Sequence, residues 1–326
     1  PAGTPPPTPA DAEEEAGLPA MEECLKRDFA LYYGTMEAGA AFQCLYSNRG
    51  GVADRFAAFW REVADAFRGE PGVIGYNLIN EPYHGDVFGN PARLLLPGHV
   101  DYNAMQPLYE RAHEAIREVD DETPIFFEGM VFAFLPLGFT SSPGGEEYRN
   151  RSVLSYHFYC LLGGSGPVTD RLCNLQSRAI IRQRQRDVRS LGIAGFMTEF
   201  GAYPPSHARQ MRYTVELADG LFQSWAYWSY KDFHDHTTTH GGAQTIYDKA
   251  TGEASPEKLA ILRRSYAQRI PGAPLRLERR AGRVALTFEA HGGDGPEQGR
   301  TLVMYVDRFE EFPAGVSVGV AYAGAG

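Results

Sequence analysis

Two glutamates stand in local sequences suited to paired carboxylate chemistry: Glu81 in LINEPY and Glu199 in MTEFGAY. Each closes a short apolar run, and a strand-breaking residue follows, Pro82 in one case and Gly201 in the other. Two carboxyl groups about 5 Å apart can cleave a glycosidic bond with retention, one protonating the leaving oxygen while the other attacks the anomeric carbon. Glu81 reads as the acid/base. It must be protonated in the first step, and burial together with the negative Glu199 is expected to raise its pKa. Glu199 reads as the nucleophile, kept ionised and aimed by His157 or Tyr159 of SYHFYC. Asn80, directly before Glu81, can bind a sugar hydroxyl, and Trp228 of WAYWSY offers a flat face on which a sugar ring can stack.

These residues need elements that bring them together. From residue 73 the pattern is of short apolar runs separated by helical stretches, as α/β proteins with parallel sheets require. The strand candidates are 73–80 (VIGYNLIN), 124–129 (PIFFEG), 152–159 (SVLSYHFY), 193–200 (IAGFMTEF) and 221–230 (LFQSWAYWSY). Helical spacing is found at 103–120, 177–192, 206–220 and 255–270. Upstream, 54–69 (DRFAAFWREVADAFRG) predicts an amphipathic helix whose Phe56, Phe59, Trp60, Val63 and Phe67 face the core. In a (β/α)8 barrel the strand C-termini share one face, so residues ending these runs would converge. Residues 1–19, rich in proline and acidic residues, read as a disordered lead-in. Residues 20–272 form the candidate barrel domain, and the alternating runs within 273–326 predict a small antiparallel, sandwich-like β domain.

The remaining features are read more plainly. A net charge of −10 without a Lys/Arg block disfavours nucleic acid. No apolar run is long enough to span a bilayer. Cys24, Cys44, Cys160 and Cys173 fall into two closely spaced pairs, 24/44 and 160/173, each either a disulfide or two buried thiols. Asn150-Arg151-Ser152 is a glycosylation sequon. Glu128, at the end of FFEG, is either a third site carboxylate or, the reading preferred here, a loop support. His234, Asp235, His236 and His240 have metal-like density but are taken as a substrate-facing loop, so no metal is expected. The arginines of RQRQRDVRS are assigned to a solvated helix face.

The ordered set NEP, His-x-Tyr, TEFG and WAYWSYKDF resembles glycoside hydrolase family 5 of clan A. The wording GYNLINEPY, SYHFYC, FMTEFGA and SYKDF, followed by β-patterned sequence, is similar to its endoglycoceramidase branch over about residues 50–312. The resemblance implies hydrolysis between an oligosaccharide and ceramide with retention and without a cofactor. It implies catalytic Glu81 and Glu199, with Asn80, His157, Tyr159 and Trp228 contacting substrate. It also implies a glycolipid or oligosaccharide substrate, transient contact with a membrane surface, and a secreted or lysosome-like location. An apolar channel could involve Phe132, Phe134 and Leu135. The alternatives are a family-five endo-β-glucanase or mannanase, and a non-catalytic carbohydrate-binding remnant. In this family NEP follows the fourth strand, whereas only 72 residues precede the first run here and no Asp-x-His-Gln-Asp motif occurs. The expectation is therefore a partial barrel, strands four to eight, in a chain whose N-terminal part is missing or processed.

Overall fold

All five apolar runs become strands, parallel and hydrogen-bonded in chain order: β1 (Tyr76–Asn77), β2 (Ile125–Glu128), β3 (Ser152–Phe158), β4 (Ala194–Gly201) and β5 (Ser224–Trp228). The computed structural model describes residues 26, 30–131, 135–160, 166–201, 207–231, 244–248, 251–280, 282–290, 301–309 and 311–321. Parallel neighbours require crossover connections. Three of these are helical: α3 (Gln106–Arg117) before β2, α4 (Pro167–Leu191) before β4, and α5 (Ala208–Gly220) before β5. The result is a half-barrel, in which β1 and β5 flank the sheet. Among the described residues neither carries a further strand on its outer side.

Upstream of the sheet lie α1 (Met36–Tyr46) and α2 (Val52–Phe67). Thr35 caps α1 by accepting from the Ala38 N–H. Phe56, Trp60 and Val63 of α2 pack against the core containing Tyr76, Ile125, Phe127 and Leu154. Phe59 and Phe67 do not share that fate; they are 59% and 48% exposed. The apolar stripe is thus narrower than the sequence pattern suggested, because residue 59 projects beside Trp60 and residue 67 ends the helix. A second core, under β3 and β4, joins Tyr156, Phe158, Met197 and Phe200 to Ile181 of α4 and to Met211 and Val215 of α5.

Gly201 shows why β4 must end as it does. Its φ is 151°, and a Cβ there would lie 2.2 Å from the Trp228 carbonyl oxygen, so only glycine lets β4 and β5 close at the site.

Two sequence expectations are corrected. The helix expected over 255–270 stops as α6 (Pro256–Leu262), and Tyr266–Arg269 is instead strand β6, paired antiparallel with β9 (Val303–Tyr305). Side chains from elsewhere fix this exit: Arg264 binds Asp219 at 2.7 Å, Glu311 accepts from the Ser265 N–H, and Tyr266 stacks on Tyr305. The arginine run also has a buried member. Arg184 pairs with Asp187 at 3.1 Å and donates to the Leu135 carbonyl, so it holds the chain after β2. Downstream, β7 (Gly272–Arg280) and β8 (Arg283–Ala290) form a hairpin. The antiparallel strands therefore begin upstream of residue 273, in two separate two-stranded ladders.

Candidate active site

The strand ends deliver their side chains to one place. Glu81 follows β1, Glu128 ends β2, His157 lies near the end of β3, and Glu199 lies in β4. A register shift after Tyr156 pairs His157 directly with Glu199, placing both side chains toward the same side of neighbouring strands.

His157 is the hub. Its Nδ1 lies 2.8 Å from Glu81 Oε1 and 3.7 Å from Glu199 Oε1, while Nε2 lies 3.7 Å from Glu128 Oε1. One carboxylate oxygen of Glu81, one of Glu199 and a ring nitrogen of His157 all lie within 4.8 Å of one another. Metal sites share such spacing, but these atoms are already engaged with one another, and Tyr159 donates to Glu199, so the group reads as a proton-handling cluster. The Tyr33 hydroxyl sits 3.5 Å from Glu81 Oε2, at the limit of a hydrogen bond.

The electrostatics follow from this enclosure. Burial opposes the imidazolium of His157, but the hydrogen bond to Glu81 and the charges of Glu128, Glu199 and Glu81 outweigh it and raise its pKa to about 9. Burial lifts Glu128 to about 7, against the pull of His157. Burial also raises Glu199, while His157 and the Tyr159 hydrogen bond restrain the rise. Tyr33 is pushed up to about 12, first by burial and then by the charge of Glu81. At neutral pH the cluster is thus a cation held among carboxyl groups.

The backbone of Glu81 is unusual. Its φ of 44° places a non-glycine residue in the left-handed region, which costs of order 1–3 kcal/mol. Its N–H donates to Glu128 Oε2 at 3.1 Å, fixing the residue in that conformation.

The structure brings Glu81, Glu199, His157 and Tyr159 together as the sequence predicts. Asn80 is exposed beside Glu81. Trp228 is half-buried at the end of β5, paired in register with Gly201, and its peptide bond to Ser229 is cis. Glu128 belongs to the cluster rather than to a supporting loop. The signal for this was available, since it closes an apolar strand just as Glu81 and Glu199 do. Tyr33, on a helical turn far upstream, carried no such signal. His234, Asp235, His236, His240, Phe132 and Phe134 lie outside the described residues, while Leu135 is 56% exposed. Cys160 and Cys173 are joined by a disulfide, Cys44 is a free thiol, and Cys24 lies outside the described residues.

A parallel half-barrel with paired carboxylates at its C-terminal strand ends defines the class: a (β/α)8-type protein with its polar centre on the face where such barrels work. The profile of the family Cellulase (glycosyl hydrolase family 5) matches residues 38–234, and the chain belongs to that family. It is 40% identical over 266 residues to an endoglycoceramidase of Hydra vulgaris, covering 79% of this chain and 49% of that protein. An endoglycoceramidase of Cyanea nozakii is 36% identical over 261 residues, again covering 79% and 49%. The chain thus spans about half the length of these relatives. Among solved structures, endo-glycoceramidase II from Rhodococcus sp. in its ganglioside GM3 complex superposes with a TM-score of 0.68 at 24% identity, over 87% of this chain and 61% of that one. That likeness shows the fold.

Proposed function

We propose that this chain carries the catalytic centre of a retaining glycosidase that hydrolyses the oligosaccharide–ceramide bond of glycosphingolipids. The observation that carries the mechanism is the carboxylate spacing. One carboxylate oxygen of Glu81 and one of Glu199 lie within 4.8 Å of each other, which supports the close pair, about 5 Å apart, that a retaining enzyme uses. Protonated Glu81 gives its proton to the glycosidic oxygen while the Glu199 carboxylate attacks the anomeric carbon, so the ceramide alcohol leaves and a glycosyl ester forms. Glu81, now a carboxylate, takes a proton from water as that water attacks the ester, which frees the sugar and restores Glu199. Tyr159 keeps Glu199 aimed, His157 holds Glu81 Oε1, and Oε2, 3.5 Å from the Tyr33 hydroxyl, meets the substrate. Asn80 serves the sugar hydroxyls and Trp228 the ring face.

The names of the Hydra and Cyanea relatives favour a glycolipid substrate. The name of the family profile favours a second reading, an endo-β-glucanase or mannanase using the same pair. No described helix is long and apolar enough to cross a membrane. The disulfide and the exposed Asn150 sequon support a secreted or lysosome-like setting. The antiparallel strands that open at Tyr266 are assigned to a C-terminal β unit that follows the partial barrel.

Incubation with a fluorescent ganglioside should release oligosaccharide, and Glu199→Gln should abolish release. Release only from cello- or manno-oligosaccharides would favour the second reading. A folded chain that binds sugars but cleaves neither would leave a carbohydrate-binding remnant.

A further inference from the structure

The reaction above gives Glu128 no task, yet its position is among the most constrained in the molecule. The residue is 3% exposed, and the charges of both Glu81 and Glu199 act on it. Its Oε2 accepts the N–H of Glu81 at 3.1 Å, its Oε1 lies 3.7 Å from His157 Nε2, and its own carbonyl accepts from the buried Tyr109 hydroxyl at 2.7 Å. Each of these contacts reaches a different element: the chain after β1, strand β3 and helix α3. Mere support of the loop after β2 would need none of the first two.

We propose that Glu128 is a positioning residue for the acid/base: its carboxyl group locks the left-handed backbone of Glu81 and holds the far nitrogen of His157, so that the imidazole Nδ1 is presented to Glu81 and Glu199. The consequence concerns the ring: with its far nitrogen beside Glu128, the imidazole keeps Nδ1 at 2.8 Å from Glu81 Oε1, and the charge of Glu128 favours its imidazolium form. The groups facing this pair are Glu81, Glu199, Tyr33 and Tyr159 at the site and Tyr109 from α3. His157 is the cation among them, and its raised pKa of about 9 agrees with anionic neighbours on both sides of the ring.

The catalytic consequence rests on the proposed glycosidase activity; the positioning of His157 does not, and the test separates them. The first measurement is the NMR titration of His157 in the 326-residue chain, which needs neither substrate nor a variant. A midpoint well above the ordinary 6.5 is expected, and one at or below it overturns the proposal. The second uses Glu128→Gln, which keeps an oxygen to accept the Glu81 N–H but loses the charge. The His157 midpoint should fall by about one unit or more, a tenfold change in proton affinity. A midpoint unchanged in the folded variant overturns the proposal. Where the wild-type chain turns over ganglioside, Glu128→Gln should lower kcat roughly tenfold or more with KM within about twofold, and shift the kcat–pH profile. Wild-type kcat and pH profile would reduce Glu128 to a structural role. Lack of turnover by the wild type sinks the glycosidase reading, while the titration still decides the placement of His157.

Discussion

Strands β2, β3 and β4 at the middle of the sheet and strands β1 and β5 at its flanks come from apolar runs of similar appearance but are held differently. All four residues of β2 are buried, with Ile125 and Phe127 fully so, and Leu154 of β3 and Met197 and Phe200 of β4 are equally enclosed. By contrast β1 is two residues long with Asn77 exposed, and β5 exposes Ser224 and Ala226. The middle strands carry Glu128, His157 and Glu199; the flanks deliver Asn80, Glu81 and Trp228. Three of the clustered titratable groups are thus fixed by the core, and the groups assigned to the sugar stand where, among the described residues, the sheet has no outer neighbour. Glu81 is the exception that joins the two sets. It leaves the short β1 but is bound to the middle through Glu128 and His157.

The comparison can be broken most directly by core truncation. Phe127→Ala should cost about 3–5 kcal/mol in a urea melt, because the fully buried ring packs edge-on against Tyr109 and Phe139 and its loss leaves a cavity. Ile74→Ala beside β1, where the side chain is 67% exposed, should stay within about 0.5 kcal/mol. Equal losses at the two sites would erase the distinction.

A smaller effect should sharpen it at the site. Tyr159→Phe removes a hydrogen bond to a carboxylate, of order 1.5–3 kcal/mol, so kcat/KM should drop roughly 10- to 100-fold with little change in melting temperature. An unaltered rate would mean that Glu199 is aimed from elsewhere.

A separate handle on the cluster is pH dependence. His157 is raised from 6.5 to about 9, so its contribution to stability is complete below 6.5 and lost as pH rises through 9. Glu128 is raised from 4.5 to about 7, and its preference for the folded state is likewise lost as pH rises through 7. Both act in one direction: the thermal midpoint should decline between about pH 5 and 9, and His157→Gln should flatten the upper part. A midpoint that climbs through this window in the wild type would place the cluster's charges elsewhere.

Much of this was legible in the sequence. Glu81, Glu199, His157 and Tyr159 each occupy a short, specific wording, and parallel strands align such wordings whatever their separation along the chain. Glu128 was harder, since an acidic residue after IFF reads alike whether it turns inward or supports a loop; only the positions of Glu81 and His157 reveal which. The end of α6 was hidden for another reason. Residues 263–270 keep helical spacing, but the partners that draw them into a strand, Asp219, Tyr305 and Glu311, lie far away in sequence. Phe59 and Phe67 misled because periodicity marks a face without its width.

The bridge from Cys160 to Cys173 acts on the site mechanically. Cys160 directly follows Tyr159, and Cys173 is buried within the early part of α4, so the bridge closes a 13-residue span between the hydroxyl donor to Glu199 and a 25-residue helix. Closing a loop of that size removes unfolded-state entropy of about 3 kcal/mol in the chain model. Tyr159 is thereby tethered by a covalent strut to a rigid rod whose far end, at Leu191, packs into the core beneath β1 and β2. Thiol reduction would cut the strut while leaving Glu81, Glu128, His157 and Glu199 in the chain, making the placement of Tyr159 beside Glu199 answerable to the redox potential of its surroundings.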